Sequence, residues 1–399
     1  MSVFRYVVPA LAIAGRAAAQ CSASATQTIQ NAGDAAALAG CQTFTGSIAL
    51  ATGTTGVIAL NGIQEITGDL VADNVTSVTQ LSGDSLTTLG GDFILNGMTV
   101  LTTLSFPRLA TAKNINWVAL PQLQGLSFTT GLQQTQSLLI ENTQLGSLSG
   151  INLQTAASVM ISNNPYLQEV NMQLGNISNA LAIEANGRNI AVTFPNLEWA
   201  FNITLRNVSA ISMPSLAAVN GSLGFYSNFF ESVNAPNLTT VGQSLSFVSN
   251  QKLNNASFPQ LTSVGGGLQI ANNTNIEKID GFPKLQTVGG ALDFYGNFSD
   301  VALPSLMDVR GAFNLQSSKD LTNTCNHFQP LSGQNNVIKG TYSCSGGEST
   351  PGGSGTLPSG TNSGSGTSGS TTSSSASTAV TITGATGLLG VVAAIFGML

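Results

Sequence analysis

Apolar and polar positions follow one phrase that returns about every 22 residues along this chain. It reads PNLTTVGQSLSFVSN at Pro236–Asn250, with close copies at Pro214–Asn228, Pro259–Asn273 and Pro283–Asn297. The common form is P-x-L-x-x-V-x-x-x-L-x-[FI]-x-x-N. A period of this length is typical of solenoid proteins, in which each repeat forms one coil. The pattern therefore predicts a stack of coils.

The second half of the phrase has the period-two alternation of a strand with one buried face. Leu245-x-Phe247, Leu268-x-Ile270 and Leu292-x-Phe294 each place a small or polar residue between two apolar ones. Equivalent strands of successive coils should stack in parallel about 4.8 Å apart, leucine over leucine. We predict a mainly β fold, a right-handed parallel β-solenoid similar to leucine-rich repeats, with roughly a dozen coils between Thr43 and Ser318.

Glycine and asparagine recur at the predicted bends. Gly242, Gly265–Gly267 and Gly289–Gly290 lie between two strand segments, where a tight turn, often with positive φ, favours glycine. The closing asparagines are expected to form a buried ladder that bonds backbone groups left unpaired at the bend. These ladder residues are Asn228, Asn250, Asn273 and Asn297. The phrase blurs between Leu109 and Gln154, which leaves the number of coils between residues 45 and 155 open.

The four cysteines stand in two local pairs, one at each end of the repeats: Cys21 with Cys41, and Cys325 with Cys344. Three connectivities are possible, and proximity in sequence favours the local one. Each such disulfide closes a loop of about twenty residues and contributes roughly 3 kcal/mol. Metal binding is the rival interpretation, but no further histidine or cysteine lies beside either pair.

Both ends of a bare solenoid would expose strand edges, so the cysteine pairs predict two caps. The N-terminal cap covers residues 20–44, with a short helix within Thr26–Leu38. The C-terminal cap covers residues 319–345. Together they delimit a disulfide-closed ectodomain over residues 20–345.

Both termini of the chain have the features of processing signals. Residues 1–19 combine an arginine, a short apolar run and small residues before a cut after Ala19, which predicts a secretory signal. Residues 346–376 are rich in Ser, Thr and Gly and predict a disordered stalk. Residues 377–399 end in LLGVVAAIFGML with no basic residue after it, the order of a glycosylphosphatidylinositol (GPI) signal, with a tail-anchored protein as the alternative. The attachment candidates are Ser373, Ser374, Ser375 and Ala376.

Composition narrows the class of partner. Only 8% of residues are charged and the formal net charge is −6, without any run of Lys and Arg. Nucleic acid and anionic lipid both require clustered positive charge, so neither is an expected partner. Export and four cysteines place the mature chain outside the cell, where disulfides persist.

The opening Gly46-Ser-Ile48, the P-x-L-x-x-V coils and the closing NVIKGTYSCSG together resemble a known family. It is the fungal GPI-anchored cell-wall organisation family, the extracellular-mutant and sporulation-specific group, whose ectodomain is similar to receptor L domains. The resemblance implies a role in cell-wall organisation and integrity without catalysis. It also implies a location at the outer plasma membrane leaflet or in the wall, with wall polysaccharide or wall proteins as partners.

N-x-Ser/Thr sequons are frequent and predict N-linked glycans. The predicted sites are Asn74, Asn176, Asn202, Asn207, Asn220, Asn237, Asn255 and Asn272. Asn237 should be well exposed because its neighbour Leu238 points inward. Asn297 also lies in a sequon but should be poorly occupied, because a ladder residue is buried.

The sequence does not predict a catalytic site, a cofactor or a metal. Glycoside hydrolysis needs two carboxylates at a fixed distance. The acids considered do not stack in adjacent coils: Glu141, Glu169, Glu184, Glu198, Glu231, Glu277, Asp293, Asp300 and Asp308. His327, the single histidine, lies inside the C-terminal cap, where a structural or surface role is expected.

A binding surface is the alternative function, as a carbohydrate-binding or adhesion receptor on the sheet face. Alternation places Tyr226 and Tyr295 outward at equivalent coil positions, where their rings would stack on sugars. Phe229, Phe230 and Phe298 follow just beyond the turn. The competing interpretation is that these phenylalanines fill a corner of the solenoid.

Overall fold

The computed structural model describes residues 21–352, and these form a parallel β-solenoid of about 13 turns. The predicted mainly β solenoid is confirmed. Most coils contribute a strand to each of three faces, named here from one coil: the valine face (Thr240–Val241), the leucine face (Leu245–Val248) and the third face (Asn255–Ser257). Neighbouring strands pair in parallel on all three faces.

Five long strands bend across both the valine and the leucine faces: Thr88–Asn96, Thr111–Leu120, Ile151–Ser162, Asn176–Glu184 and Trp199–Arg206. The other strands of the leucine face are Gln27–Ile29, Ile48–Leu50, Leu70–Asp73, Ser137–Thr143, Leu223–Tyr226, Leu245–Val248, Leu268–Ala271, Leu292–Gly296, Phe313–Ser317 and Tyr342–Ser345. The other strands of the valine face are Thr43–Phe44, Glu65–Ile66, Leu132–Gln134, Ala218–Val219, Thr240–Val241, Ser263–Val264, Thr287–Val288 and Asp308–Val309.

The third face is divided into four separate short ladders. They are Thr55–Ala59, Ser77–Ser82, Thr103–Ser105 and Leu126–Ser127; then Glu169–Asn171, Ala191–Thr193 and Ala210–Ser212; then Ser232–Asn234 and Asn255–Ser257; and finally Lys278–Ile279 and Asp300–Val301. At the first interruption one coil crosses this face as a turn, at Ser147–Gly150, whereas at the other two the strands of adjacent coils are present but are not paired.

The core is built by like residues stacked in register. Leu223 pairs with Leu245, Leu245 with Leu268, and Leu268 with Leu292, and each of these side chains is at most 1% exposed. Two positions further along, the rings of Phe225 and the phenylalanine above it stack at 5.0 Å between centroids. Stacking of this kind buries the apolar face of every coil against the next, which confirms the predicted register.

Close backbone approach explains the glycines between the valine and leucine faces. A Cβ on Gly289 would lie 2.2 Å from the carbonyl oxygen of Gly265, and one on Gly265 would lie 2.1 Å from that of Gly242. Their φ angles are not positive, so the predicted positive φ at this bend is wrong. Left-handed residues occur instead at the bend after the leucine face, for example Ser249 at φ 58° and Asn272 at φ 54°.

The buried asparagine ladder exists as two segments, Asn164–Asn186 and Asn228–Asn250–Asn273. In the longer segment, the Oδ1 atoms of Asn250 and Asn273 each accept from the backbone N–H of the asparagine one coil earlier, at 2.9 and 2.8 Å. Asn297 is not a member, which corrects the prediction. The preceding Gly296 has φ 158° instead of the left-handed value of the other coils, so the buried position passes to Phe298 and Asn297 is half-exposed.

Both caps are closed by the local disulfides, Cys21–Cys41 and Cys325–Cys344, with Cα atoms 5.4 and 5.5 Å apart. The N-terminal helix is Ala32–Ala37, capped by the side chain of Asn31, while Gln27–Ile29 is a strand; the predicted helix region Thr26–Leu38 is therefore helical only in its second half.

The C-terminal cap contains the helix Thr322–Phe328 and a 3₁₀ turn at Gln329–Leu331. The Phe328 ring packs 5.0 Å from that of Phe313 and thereby covers the last coil. The strand Tyr342–Ser345 then adds one more rung to the leucine face.

The first residues of the predicted stalk remain attached to the solenoid, since the backbone N–H of Gly352 donates to Oε1 of Gln316 in the strand Phe313–Ser317 at 3.0 Å. The signal over 1–19, the attachment candidates Ser373–Ala376 and the propeptide over 377–399 lie outside the described residues. Among residues 21–352 the structure has no helix that combines the length and apolar character of a membrane span.

Candidate functional site

The two tyrosines singled out by alternation lie in one outward row of the leucine face, Tyr226–Val248–Ala271–Tyr295. They are three rungs apart, about 14 Å at the usual strand spacing, with smaller side chains between them. The row is therefore not a continuous aromatic platform.

Both tyrosine side chains interact with neighbouring groups of the protein itself. The Tyr226 ring lies back over Gly224, where a Cβ would meet it at 2.4 Å, and the Arg206 guanidinium lies 5.2 Å from the ring centroid. Burial, with the nearby carboxylate of Asp293 as a smaller cause, raises the pKa of the Tyr295 phenol above its usual value. A sugar ring stacking on Tyr226 would compete with Arg206 for the face of the tyrosine ring. The role of Tyr226 and Tyr295 as glycan contacts stays a prediction.

The phenylalanines beyond the turn mainly fill the corner of the solenoid. Phe230 and Phe298 are 3% and 2% exposed, and Phe230 meets the Phe225 ring edge-on at 6.0 Å. Phe229 is half-buried. The corner interpretation is thus confirmed for Phe230 and Phe298.

The carboxylates on the leucine face serve as hydrogen-bond acceptors between coils. Asp293 accepts from Gln269 at 3.3 Å and from Asn314 at 2.8 Å. Sequence reasoning missed one stacked pair, Asp69 and Asp92, in which the Asp92 backbone N–H donates to Asp69 Oδ1 at 2.8 Å. Alignment of Gly68-Asp-Leu70 with Gly91-Asp-Phe93 would have found it.

His327 lies in the C-terminal cap helix, with its ring 4.9 Å from that of Phe328. It borders a groove formed with Asp300–Pro304, Asn323 and Thr324, a setting without a serine nucleophile paired to the imidazole. Over residues 21–352, His, Cys, Asp and Glu side chains do not gather in threes that would hold a metal ion.

A polar cleft of about 250 Å³ opens on the third face and was not predicted. Its lining residues are Ser147, Leu148, Ser149, Gly150, Ile151, Asn152, Glu169, Asn171 and Gln173. They bring together hydroxyl, amide and one carboxylate group, with two apolar side chains beneath. The available signal was the blurring of the repeat between Leu109 and Gln154.

The sequon asparagines are mostly at the surface. Exposed are Asn74, Asn176, Asn220, Asn237, Asn255 and Asn272, while Asn202 and Asn207 are half-buried. Asn237 is exposed beside a fully buried Leu238, which confirms the inside–outside register used to rank it. The occupancy of these sites by glycans stays a prediction. Asn297 is half-exposed, so the burial that was expected to keep it poorly occupied is absent.

Comparison with known proteins gives a consistent set of relatives. The family model Ecm33, described as a GPI-anchored cell wall organization protein, matches residues 1–39. A cell surface GPI-anchored protein of Arthroderma benhamiae is 41% identical over 345 residues, 86% of this chain and 88% of the relative. Protein ecm33 of Aspergillus fumigatus is 39% identical over 366 residues, 90% and 91% of the two chains. Cell wall protein ecm33 of Schizosaccharomyces pombe is 33% identical over 346 residues, 84% and 79% of the two chains. The search of solved structures returned no significant match.

Proposed function

Because the chain belongs to the Ecm33 family of GPI-anchored cell wall organization proteins, we propose that it is a non-enzymatic glycoprotein needed for the organisation and integrity of the fungal cell wall. Members of this family are proteins of the cell surface and the cell wall, so the chain works outside the cell. The proposal adds to that location a mechanical role for the solenoid.

The observation that carries the proposal is that the repeated residues are used by the fold itself. The leucine and valine rows are buried and the asparagines bond to one another between coils. The outward position between the two core rows changes from coil to coil, as Gly224, Ser246, Gln269, Asp293 and Asn314. A repeated chemical function would require a repeated outward side chain, so the repeat supports an architectural role.

The same proposal assigns the C-terminal end of the chain and the glycosylated part of the solenoid. Residues 346–376 are the stalk, and Ser373–Ala376 contain the residue that receives the GPI lipid. Eight of the nine sequons lie between Asn176 and Asn297, so glycans would coat the C-terminal part of the solenoid. A glycosylated rod held away from the lipid on a Ser/Thr-rich tether suits an element that spaces or connects wall polymers.

A deletion strain tests the proposal. We expect hypersensitivity to a wall-binding dye and to a glucan-digesting enzyme, restored by the full gene. A gene ending after Ala376 should be secreted without an anchor and should restore little. A deletion strain that tolerates both agents as well as the parent would contradict the role in integrity, and turnover of glucan or chitin by the purified protein would contradict the absence of catalysis.

A further inference from the structure

The cleft on the third face exists because the ladder of strands is interrupted there. One ladder ends at Leu126–Ser127 and the next begins at Glu169–Asn171, whose paired neighbour lies on one side only, at Ala191–Thr193. In the coil between them, Ser147–Gly150 turns at once into the long strand Ile151–Ser162. The space that a third-face strand fills in other coils is therefore left as a cavity.

A glycine fixes this turn. Gly150 has φ 88°, and a Cβ there would lie 2.4 Å from the carbonyl oxygen of Phe128. Its own carbonyl accepts from the backbone N–H of Leu132 at 2.7 Å, and the Ile151 N–H donates to the Leu148 carbonyl at 2.9 Å. The turn is thus held from both sides, so the cleft is a formed feature of the backbone and not a gap between mobile side chains.

The lining offers donors and acceptors in a pattern that suits hydroxyl groups. The hydroxyls of Ser147 and Ser149 lie 2.8 Å apart, and Asn171 Nδ2 donates to Glu169 Oε1 at 3.2 Å. These four side chains are exposed, while Leu148 and Ile151 form a buried apolar floor. Lys and Arg do not contribute to the lining, so the cleft has no group that would pair with phosphate, sulfate or a carboxylate ligand.

Two further observations point to a sugar chain. Tyr166 is 60% exposed, far more than either tyrosine of the leucine face, and it precedes Glu169 by three residues in the same coil. An exposed tyrosine ring stacks well on the apolar face of a pyranose. The stretch between Asn74 and Asn176 also lacks a sequon, so none of the lining residues is itself a predicted N-glycan site.

We propose that this cleft binds a neutral saccharide chain, with Glu169 and Asn171 bonding its hydroxyl or acetamido groups and Tyr166 stacking on a ring. The proposal rests on the proposed function and deepens it, because it names the wall component that the solenoid holds. Binding here is without turnover, since Glu169 is the one carboxylate of the lining and hydrolysis of a glycosidic bond uses two.

Calorimetric titration of the full purified glycoprotein tests the proposal, with hexasaccharides of β-1,3-linked glucose and of β-1,4-linked N-acetylglucosamine as separate probes. We expect one probe to bind, and the double variant Glu169→Gln/Asn171→Ala to weaken it by about tenfold or more, through loss of charge-assisted bonds. Tyr166→Ala should also weaken it. The matched control Glu277→Gln changes an exposed acid near the same face several coils away and should leave the affinity unchanged.

Thermal unfolding of each variant separates loss of binding from loss of fold. The side chains of the cleft variants and of the Glu277 control are exposed, so little change in their stability is expected. The proposal is overturned if neither hexasaccharide binds, or if binding survives the cleft variants and is lost in Tyr226→Ala or Tyr295→Ala. Either result leaves the wall-stress phenotype of the deletion strain untouched, so this failure is distinguishable from failure of the proposed function.

Discussion

Replacing Asn250 with alanine removes the middle member of the longer asparagine ladder. Its Oδ1 accepts from both the backbone N–H and Nδ2 of Asn228, each at 2.9 Å. Its Nδ2 donates to the carbonyl of Phe225 and to Oδ1 of Asn273, each at 3.0 Å. Asn250 is 0% exposed, so water does not reach the site to replace these bonds.

The expected loss follows from these four bonds. The backbone N–H of Asn228, in a residue only 1% exposed, loses its acceptor, and an unpaired buried donor costs about 1–3 kcal/mol. The other three bonds contribute roughly 1 kcal/mol each when their remaining partners adjust. We therefore expect Asn250→Ala to lower the free energy of unfolding by about 4–6 kcal/mol.

Denaturant unfolding measures the change, with hydrogen exchange at the Asn228 amide as the local reading. The matched control is Asn275→Ala, an exposed asparagine in the next coil, which should change stability by less than about 0.5 kcal/mol. A loss below about 1 kcal/mol for Asn250→Ala, or unchanged exchange at Asn228, would refute the inference that the ladder holds the coils together.

Three further predictions concern the surface and the caps. Site-resolved glycopeptide mass spectrometry should find Asn237 occupied more fully than Asn202, because Asn202 is half-buried and its Oδ1 accepts from the backbone N–H of Ser222 in the next coil. The reverse order would contradict this ranking. Cys21→Ser opens a loop of 20 residues, and its melting temperature should fall by an amount equivalent to about 3 kcal/mol; no fall would show that the cap is dispensable. The pKa of Asp308 is lowered by hydrogen bonds, of which the one from Lys339 is the largest cause. Asp308 therefore contributes to the stability of the folded state above its unfolded-state pKa, and this contribution is lost as the pH falls through its folded-state pKa. Asp308→Asn should therefore cost at most about 1 kcal/mol at neutral pH and nothing in acid, as followed by unfolding at both pH values.

The candidate sites show where sequence reasoning stops. Alternation correctly placed Tyr226 and Tyr295 on the outward side of the strand, because side-chain direction in a strand is a local property. It did not show that Arg206, one coil away, lies over the Tyr226 ring. The cleft beside Glu169 was missed because it arises from an absent strand in a neighbouring coil, and no residue of the cleft carries a signature of its own.

The sequence by itself determined the solenoid and its register, and it favoured the local pairing of the cysteines that the structure shows. Each coil repeats the same apolar spacing, and parallel stacking of equal coils places leucine over leucine without further information. Only the tertiary structure decided which residues leave the pattern. The extended backbone at Gly296, the close approach of Gly289 to Gly265 and the interrupted third face all depend on contacts between coils about 20 residues apart in the chain. A one-residue change in such a contact moves a side chain between core and surface, and the local spacing of apolar residues does not record it.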